Sequence, residues 1–192
     1  ILSTTSESLI ATVEDLASRS KTGKVTIIAH SNGGLVTKYL VKKLTEMGKE
    51  SLIDSVISVA VPYLGTPEAI AALLHGDGQS FAGGVLMSKD VARQLGQNMA
   101  SAYSLLPSRE YFNKIFSPTI AFASSSVTSY DNQKDYIVDS GNLRQAPDNK
   151  DLSKPIIGNS YLMMAADVLH GIIDPFTWPS IIARWAIVGW NK

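Results

Sequence analysis

Ser31 stands in the run Lys24-Val-Thr-Ile-Ile-Ala-His-Ser-Asn-Gly-Gly-Leu-Val-Thr-Lys-Tyr-Leu40, with a small residue two positions to either side, Ala29 and Gly33. A serine hydroxyl attacks a carbonyl only when it stands clear of its surroundings, with a base for its proton and donors for the oxygen that gains charge. The β-branched run Val25 to Ala29 predicts a fully buried strand, and Gly33 onward predicts a helix. The turn between them must be so sharp that Ala29 and Gly33 nearly touch, and larger side chains there would clash. Such a turn lifts the Ser31 hydroxyl clear at the start of a helix, where the backbone N–H of Asn32 can help hold an oxyanion. The motif is AxSxG, with alanine in the first small position. The competing reading is an ordinary Ser-Asn-Gly-Gly turn that only joins a strand to a helix.

The flanking elements must hold that serine in place. After the turn, Leu35, Val36, Tyr39, Leu40, Leu44 and Met47 recur at helical spacing, with Lys38, Lys42, Lys43 and Glu46 on other faces. A second buried run follows at Val56 to Val61, so the order is strand, turn, helix, strand. Upstream, Thr5 or Ser6 can cap a helix to about Ser18 that presents Leu9, Ile10, Val13 and Leu16. From about Pro67 to Lys154 the strand-helix rhythm breaks. This stretch holds glycines at 76, 78, 83 and 84, a helical segment near 90–98, a short strand at 119–123 and a polar run at 124–133 that reads as loop. A helix over about 159–171 and a core strand over 183–189 follow. The whole predicts an α/β fold in a single domain, 1–192, with a mostly parallel sheet, helices on both faces and an insertion over about 67–154.

His30-Ser31-Asn32-Gly33-Gly34-Leu35-Val36 resembles the HSxGGLV elbow of lipases in the α/β-hydrolase superfamily, and especially of the lecithin:cholesterol acyltransferase-like and related esterase group. Val61-Pro62-Tyr63-Leu64-Gly65-Thr66-Pro67 and Ser101-Ala102-Tyr103-Ser104-Leu105-Leu106-Pro107 resemble two further segments of that group, in the same order. The resemblance covers about residues 1–110 well and the rest loosely. It implies that Ser31 is the nucleophile and that the insertion is a lid. It also implies the triad order serine, acid, histidine, with the acid just after the strand that follows the lid. That strand is 183–189, so the expected acid and histidine fall beyond Lys192, and an HG-type oxyanion loop is expected ahead of the first helix. On this reading the chain is the central fragment of a hydrolase, incomplete at both ends.

The three histidines bear on the base. His30 sits beside Ser31 with its side chain expected to point away. His75, in His-Gly-Asp-Gly, comes too early in the fold for a catalytic loop. His170 is the alternative base, with a structural helix histidine as the competing reading. Tyr103, Leu105, Leu106, Tyr111, Phe112 and Phe116 read either as an acyl groove under the lid or as core.

Other chemistry is set aside. The chain carries 17 basic and 17 acidic residues and no cysteine. The balanced charge gives no electrostatic reason to expect nucleic acid, and thiol catalysis and thiolate metal sites are excluded. Three scattered histidines without HExxH spacing do not suggest a metal, and Gly76-Asp77-Gly78 and Gly83-Gly84 lack the Lys-Ser/Thr of a phosphate loop. The acidic pairs Asp135 with Asp139 and Asp148 with Asp151 read as solvated loop residues. No stretch reaches the length of a transmembrane helix. The expectation is therefore a serine hydrolase acting on small-molecule or lipid carboxylic esters, with acyl transfer to an alcohol as a variant. It needs no cofactor or metal, and peripheral contact with a membrane or lipid stays open. The alternative is a non-catalytic binding module on the same fold.

Overall fold

The structure, a computed structural model, describes residues 2–76, 78, 88–121, 125–138 and 158–187. In chain order its elements are α1 (Leu2–Arg19), β1 (Val25–His30), α2 (Gly33–Glu46), β2 (Ile53–Val59), α3 (Glu68–His75), α4 (Lys89–Gly96), α5 (Ala100–Ser104), α6 (Arg109–Lys114), β3 (Ile120–Ala121), β4 (Ser126–Val127), α7 (Tyr130–Val138), α8 (Ser160–Ile173) and β5 (Ala183–Ile187). They form two compact units, one of residues 1–63 with 171–192 and the other of residues 64–170. The expected insertion over about 67–154 lies within the second. Asp77, Gly83, Gly84, Asp139, Asp148, Asp151 and the end of the last expected strand lie outside the described residues.

The first unit is built on a parallel sheet in the order β1-β2-β5. Parallel strands need a crossover, and α2 supplies the one between β1 and β2. Its inward stripe of Leu40, Val41 and Leu44 meets Val13 of α1 and Ile53 and Val56 of β2, with Val25 and Ile27 packed beside them. Burying each such Leu, Ile or Val contributes roughly 1.5–3 kcal/mol. α2 stops where Gly48, at φ 67°, turns the chain so that the Lys49 N–H reaches back to the Leu44 carbonyl at 2.8 Å.

The expected complete burial of β1 is not found. β1 lies at the edge of this sheet and side chains alternate across a strand, so only every second residue faces α1 and α2. Ile28 on the other face is 71% exposed. Its register partner on β2 is Ile57, which in turn pairs with Trp185 of β5, also exposed. Of the two helical layers expected, the described residues of this unit supply the one made of α1 and α2. α1 also begins earlier than expected, at Leu2, so Thr5 and Ser6 lie within the helix, past its first residue.

The second unit is helical around Ile70, Leu73 and Leu74 of α3, Tyr103, Leu106, Tyr130 and Ile137, with Met163 and Ala166 of α8. Two of the sequence segments singled out above meet within it. The Thr66 N–H donates to the Leu105 carbonyl at 2.8 Å and the Ser108 N–H to the Leu64 carbonyl at 2.9 Å, so Leu64–Thr66 and Leu105–Ser108 form a backbone clip. Gly65 lies between these bonds at φ 84°, and a Cβ there would fall 2.1 Å from the Leu106 carbonyl oxygen, so only glycine fits. The polar run 124–133, expected as loop, contains β4 and the first turn of α7. Ser129 serves as the capping group of α7: its Oγ accepts from the Asn132 N–H at 3.2 Å and its carbonyl from the Gln133 N–H at 3.0 Å.

The crowding expected at Gly33 lies one residue further on. Among the described residues a Cβ on Gly33 would meet nothing within 4 Å, whereas one on Gly34 would fall 2.1 Å from Val61 Cγ1 and 2.4 Å from Val61 Cγ2. The reason is that Gly33 opens the helix on its exposed side, while Gly34 turns toward the segment leaving β2. Gly34→Ala should therefore destabilise the protein by roughly 1–3 kcal/mol through overpacking, and Gly33→Ala should change stability by less than about 0.5 kcal/mol. Urea midpoints read both, and adding Val61→Ala to Gly34→Ala should recover part of the loss. Equal effects at the two glycines would show that the close approach is not at Gly34.

Candidate functional site at the carboxyl ends of the strands

Ser31 is the residue between the end of β1 and the turn into α2, and it adopts φ 52°. A side chain in this left-handed region costs of order 1–3 kcal/mol unless neighbours hold it there. They do. The Ser31 N–H donates to the Val59 carbonyl of the adjacent strand at 3.0 Å, and the Ser31 carbonyl accepts from the Gly34 N–H at 3.0 Å. Ser31 and Asn32 are both half-buried. Asn32 is the N-cap of α2, and its carbonyl receives the N–H groups of Leu35 at 3.0 Å and Val36 at 3.3 Å. Ala29, two residues before the serine, is buried in β1, and Gly33, two residues after it, is exposed.

The neighbouring strand ends in the same way. Ala60 follows β2 at φ 47°, and it and Ser31 are the non-glycine residues with positive φ among those described. Since His30 pairs with Val59 in register, the two strained residues sit side by side at the carboxyl edge of the sheet. That edge is where open α/β sheets bind ligands.

Beyond Ala60 the chain is pinned by contacts that sequence reasoning did not anticipate. The Tyr63 hydroxyl is 2.7 Å from Ser58 Oγ, on the buried side of β2. The buried Lys38 amine of α2 sits 5.8 Å from the centre of the Tyr63 ring, and Trp178 meets that ring edge-on with centroids 6.2 Å apart. Burial pushes the Tyr63 hydroxyl above the ordinary tyrosine range, with the Ser58 hydrogen bond and the charge of Arg184 pulling partly back. Tyr63 belongs to the quoted segment 61–67, but its partners come from other elements, so no local pattern signals them.

His30 is exposed on the open face of the sheet. His75 ends α3 in the second unit. His170, on α8 in that unit, is buried, and its Nε2 lies 2.9 Å from the Ser104 carbonyl. A carbonyl only accepts, so Nε2 carries the proton and the ring ties α8 to the segment 101–108. The same segment is held by Tyr103, whose hydroxyl donates to the Gln97 carbonyl at 3.0 Å and accepts from the Asn159 N–H at 2.5 Å. Tyr103 and Leu106 are core residues, and Phe116 is 95% exposed, so these three do not line one groove. Among the described residues no group of three or more His, Asp or Glu side chains is placed to hold a metal, and no helix is long and apolar enough to cross a membrane.

The architecture has a relative among solved structures. A chain of the crystal structure of the Tle4-Tli4 complex superposes with a TM-score of 0.53 at 16% identity, covering 92% of this chain and 39% of that one. At that identity the likeness is one of fold, an α/β-hydrolase type with a parallel sheet and surrounding helices. The lecithin:cholesterol acyltransferase family model matches residues 7–172, and the chain belongs to that family. Comparison with curated proteins gives no match.

The role of His170 can be read from stability. His170→Ala should cost about 1–3 kcal/mol by leaving the buried Ser104 carbonyl without this donor, and His170→Gln, which keeps an N–H, should recover part of it. Both variants should still react at Ser31 with a fluorophosphonate probe while folded. Lost reactivity at unchanged stability would instead mark His170 as the base.

Proposed function

We propose that the protein is a serine ester hydrolase of the lecithin:cholesterol acyltransferase family, acting on lipid or small-molecule carboxylic esters through an acyl-enzyme at Ser31. The observation that carries this reading is the strained backbone of Ser31, held between a parallel strand and a helix at the carboxyl edge of the sheet, the edge at which open α/β sheets generally bind ligands. Strain of this kind persists where surrounding contacts fix it, and it sets the hydroxyl apart from the sheet. Family membership over residues 7–172 supports the ester chemistry.

In the proposed reaction Ser31 Oγ attacks the ester carbonyl carbon and gives its proton to a base. The carbonyl oxygen gains the charge, and the Asn32 N–H at the head of α2 supplies part of the site that holds it. The tetrahedral intermediate expels the alcohol, which takes up a proton from the base, and the acyl group remains on Ser31. Water, or an acceptor alcohol, gives a proton to the base and attacks the acyl carbon; the bond to Ser31 Oγ breaks, Oγ takes the proton back, and the acid or a new ester leaves. One intermediate serves both outcomes. The base is a histidine supported by an acid, as in the family order serine, acid, histidine. The hydrogen bond from His170 to Ser104 supports a structural role for that residue.

A fluorophosphonate probe should label Ser31 in the full chain. Ser31→Ala should abolish labelling and lower hydrolysis of a short p-nitrophenyl ester by about three orders of magnitude or more. Peptide mapping locates the label, and labelling that survives the substitution would favour the non-catalytic reading of the fold.

A further inference from the structure

We infer that Tyr63 is a positioning residue for Ser31, acting through the segment that joins it to β2. The inference rests on the reading of Ser31 as nucleophile and adds how its geometry is kept. Tyr63 touches no reacting atom. It closes a short loop that leaves β2 at Val59, turns at Ala60 and returns so that the Tyr63 hydroxyl bonds Ser58 Oγ at 2.7 Å, two residues before the turn. The Tyr63 N–H donates to the Val61 carbonyl at 3.1 Å within that loop.

Two contacts carry the position of this loop to the serine. Val59, at the loop's base, accepts the Ser31 N–H at 3.0 Å. Val61, in the loop, fills the space above Gly34, whose absent Cβ would have lain 2.1 Å from Val61 Cγ1. Ser31 is therefore bounded on its strand side by Val59, and the helix turn after it is bounded by Val61. Both boundaries belong to the segment that Tyr63 fastens. Lys38, one turn further along α2, sits 5.8 Å from the Tyr63 ring centre, so the ring also braces the helix that Ser31 introduces. Ser58 is in register with Ala29 of β1, so the hydroxyl bond is anchored beside the residue two before Ser31.

Losing the hydroxyl bond alone should leave the ring, its contact with Lys38 and its edge contact with Trp178 in place. The loop would then drift against α2, and the serine with it. Small displacements of a reacting group lower rates far more than they lower stability.

The test uses Tyr63→Phe and Ser58→Ala in the full chain, alone and together, with Ser31→Ala as reference. Tyr63→Phe should slow fluorophosphonate labelling of Ser31 and lower kcat for a p-nitrophenyl ester by about tenfold, with KM and the thermal midpoint close to the parent values. Ser58→Ala should do the same, and the double variant should be no slower than either single one, because both remove one bond. Tyr63→Phe that labels at the parental rate, or single effects that multiply in the double variant, would overturn the inference while leaving Ser31 as nucleophile. A thermal midpoint that falls while labelling per folded molecule is unchanged would also overturn it, since Tyr63 would then only stabilise the fold. Labelling that persists in Ser31→Ala would remove the nucleophile reading itself, and with it this inference.

Discussion

Gly34 has no Cβ, and the first unit is organised around that missing carbon. Its α-carbon stands so close to Val61 that any side chain would collide with both Val61 methyl groups. This closeness lets the first turn of α2 lie directly against the segment leaving β2. With the helix start that near, only Ser31 and Asn32 separate β1 from α2, and the first of them, Ser31, takes the left-handed region. The strain at Ser31 thus goes with the close packing three residues on, at Gly34. Hydrogen bonds from Ser31 to Val59 and from Gly34 to Ser31 then lock the arrangement from both sides.

The second unit solves a related problem with different groups. Segments without regular structure leave backbone polar groups that must find partners if they are buried. Here Leu64–Thr66 and Leu105–Ser108 satisfy one another, and Gly65 permits the approach. Side chains complete the account: the Gln133 Nε2 donates to the Pro107 carbonyl at 2.9 Å, and His170 serves Ser104. Gln133 is fully buried, and its Oε1 has no hydrogen-bond partner among the described residues, a local cost that the bond to Pro107 offsets only in part. Polar side chains here do the work that a sheet ladder does in the first unit.

The strand-turn-helix around Ser31 was legible because it is local: β-branched residues, a run of small ones and a 3.6-residue stripe lie within the segment from Lys24 to Met47. The family resemblance was legible for the same reason, since each of its segments is short. The burial of β1 was not, because whether Ile28 is covered depends on what lies beside the strand, and its own sequence is apolar either way. The Gly33 reading failed on a single step of helix phase. Two adjacent glycines look alike in sequence, and only the direction of α2 decides which faces Val61. Ser124 to Gln133 misled because serine serves caps and loops equally, and the apolar residues Tyr130 and Ile137 that decide between them bracket a polar stretch. Tyr63 was quoted as part of a motif, yet its partners Ser58, Lys38 and Trp178 come from three other places in the chain.

Ser31 and Ala60 share a strained conformation but not a reason for it. Glycine would adopt either position with less cost. At Ser31 a glycine would discard the hydroxyl, so the proposed chemistry itself requires a side chain where the backbone least favours one. Ala60 carries only a methyl group, is exposed, and has no chemical role to lose. What its left-handed turn does is reverse the chain at once after β2, so that Val61 reaches Gly34 and the Tyr63 hydroxyl returns to Ser58. A more gradual turn would carry Val61 past α2 and leave the turn at Ser31 unsupported. The second strained residue therefore acts on the first through the packing it creates, and the two belong to one device at the carboxyl edge of the sheet.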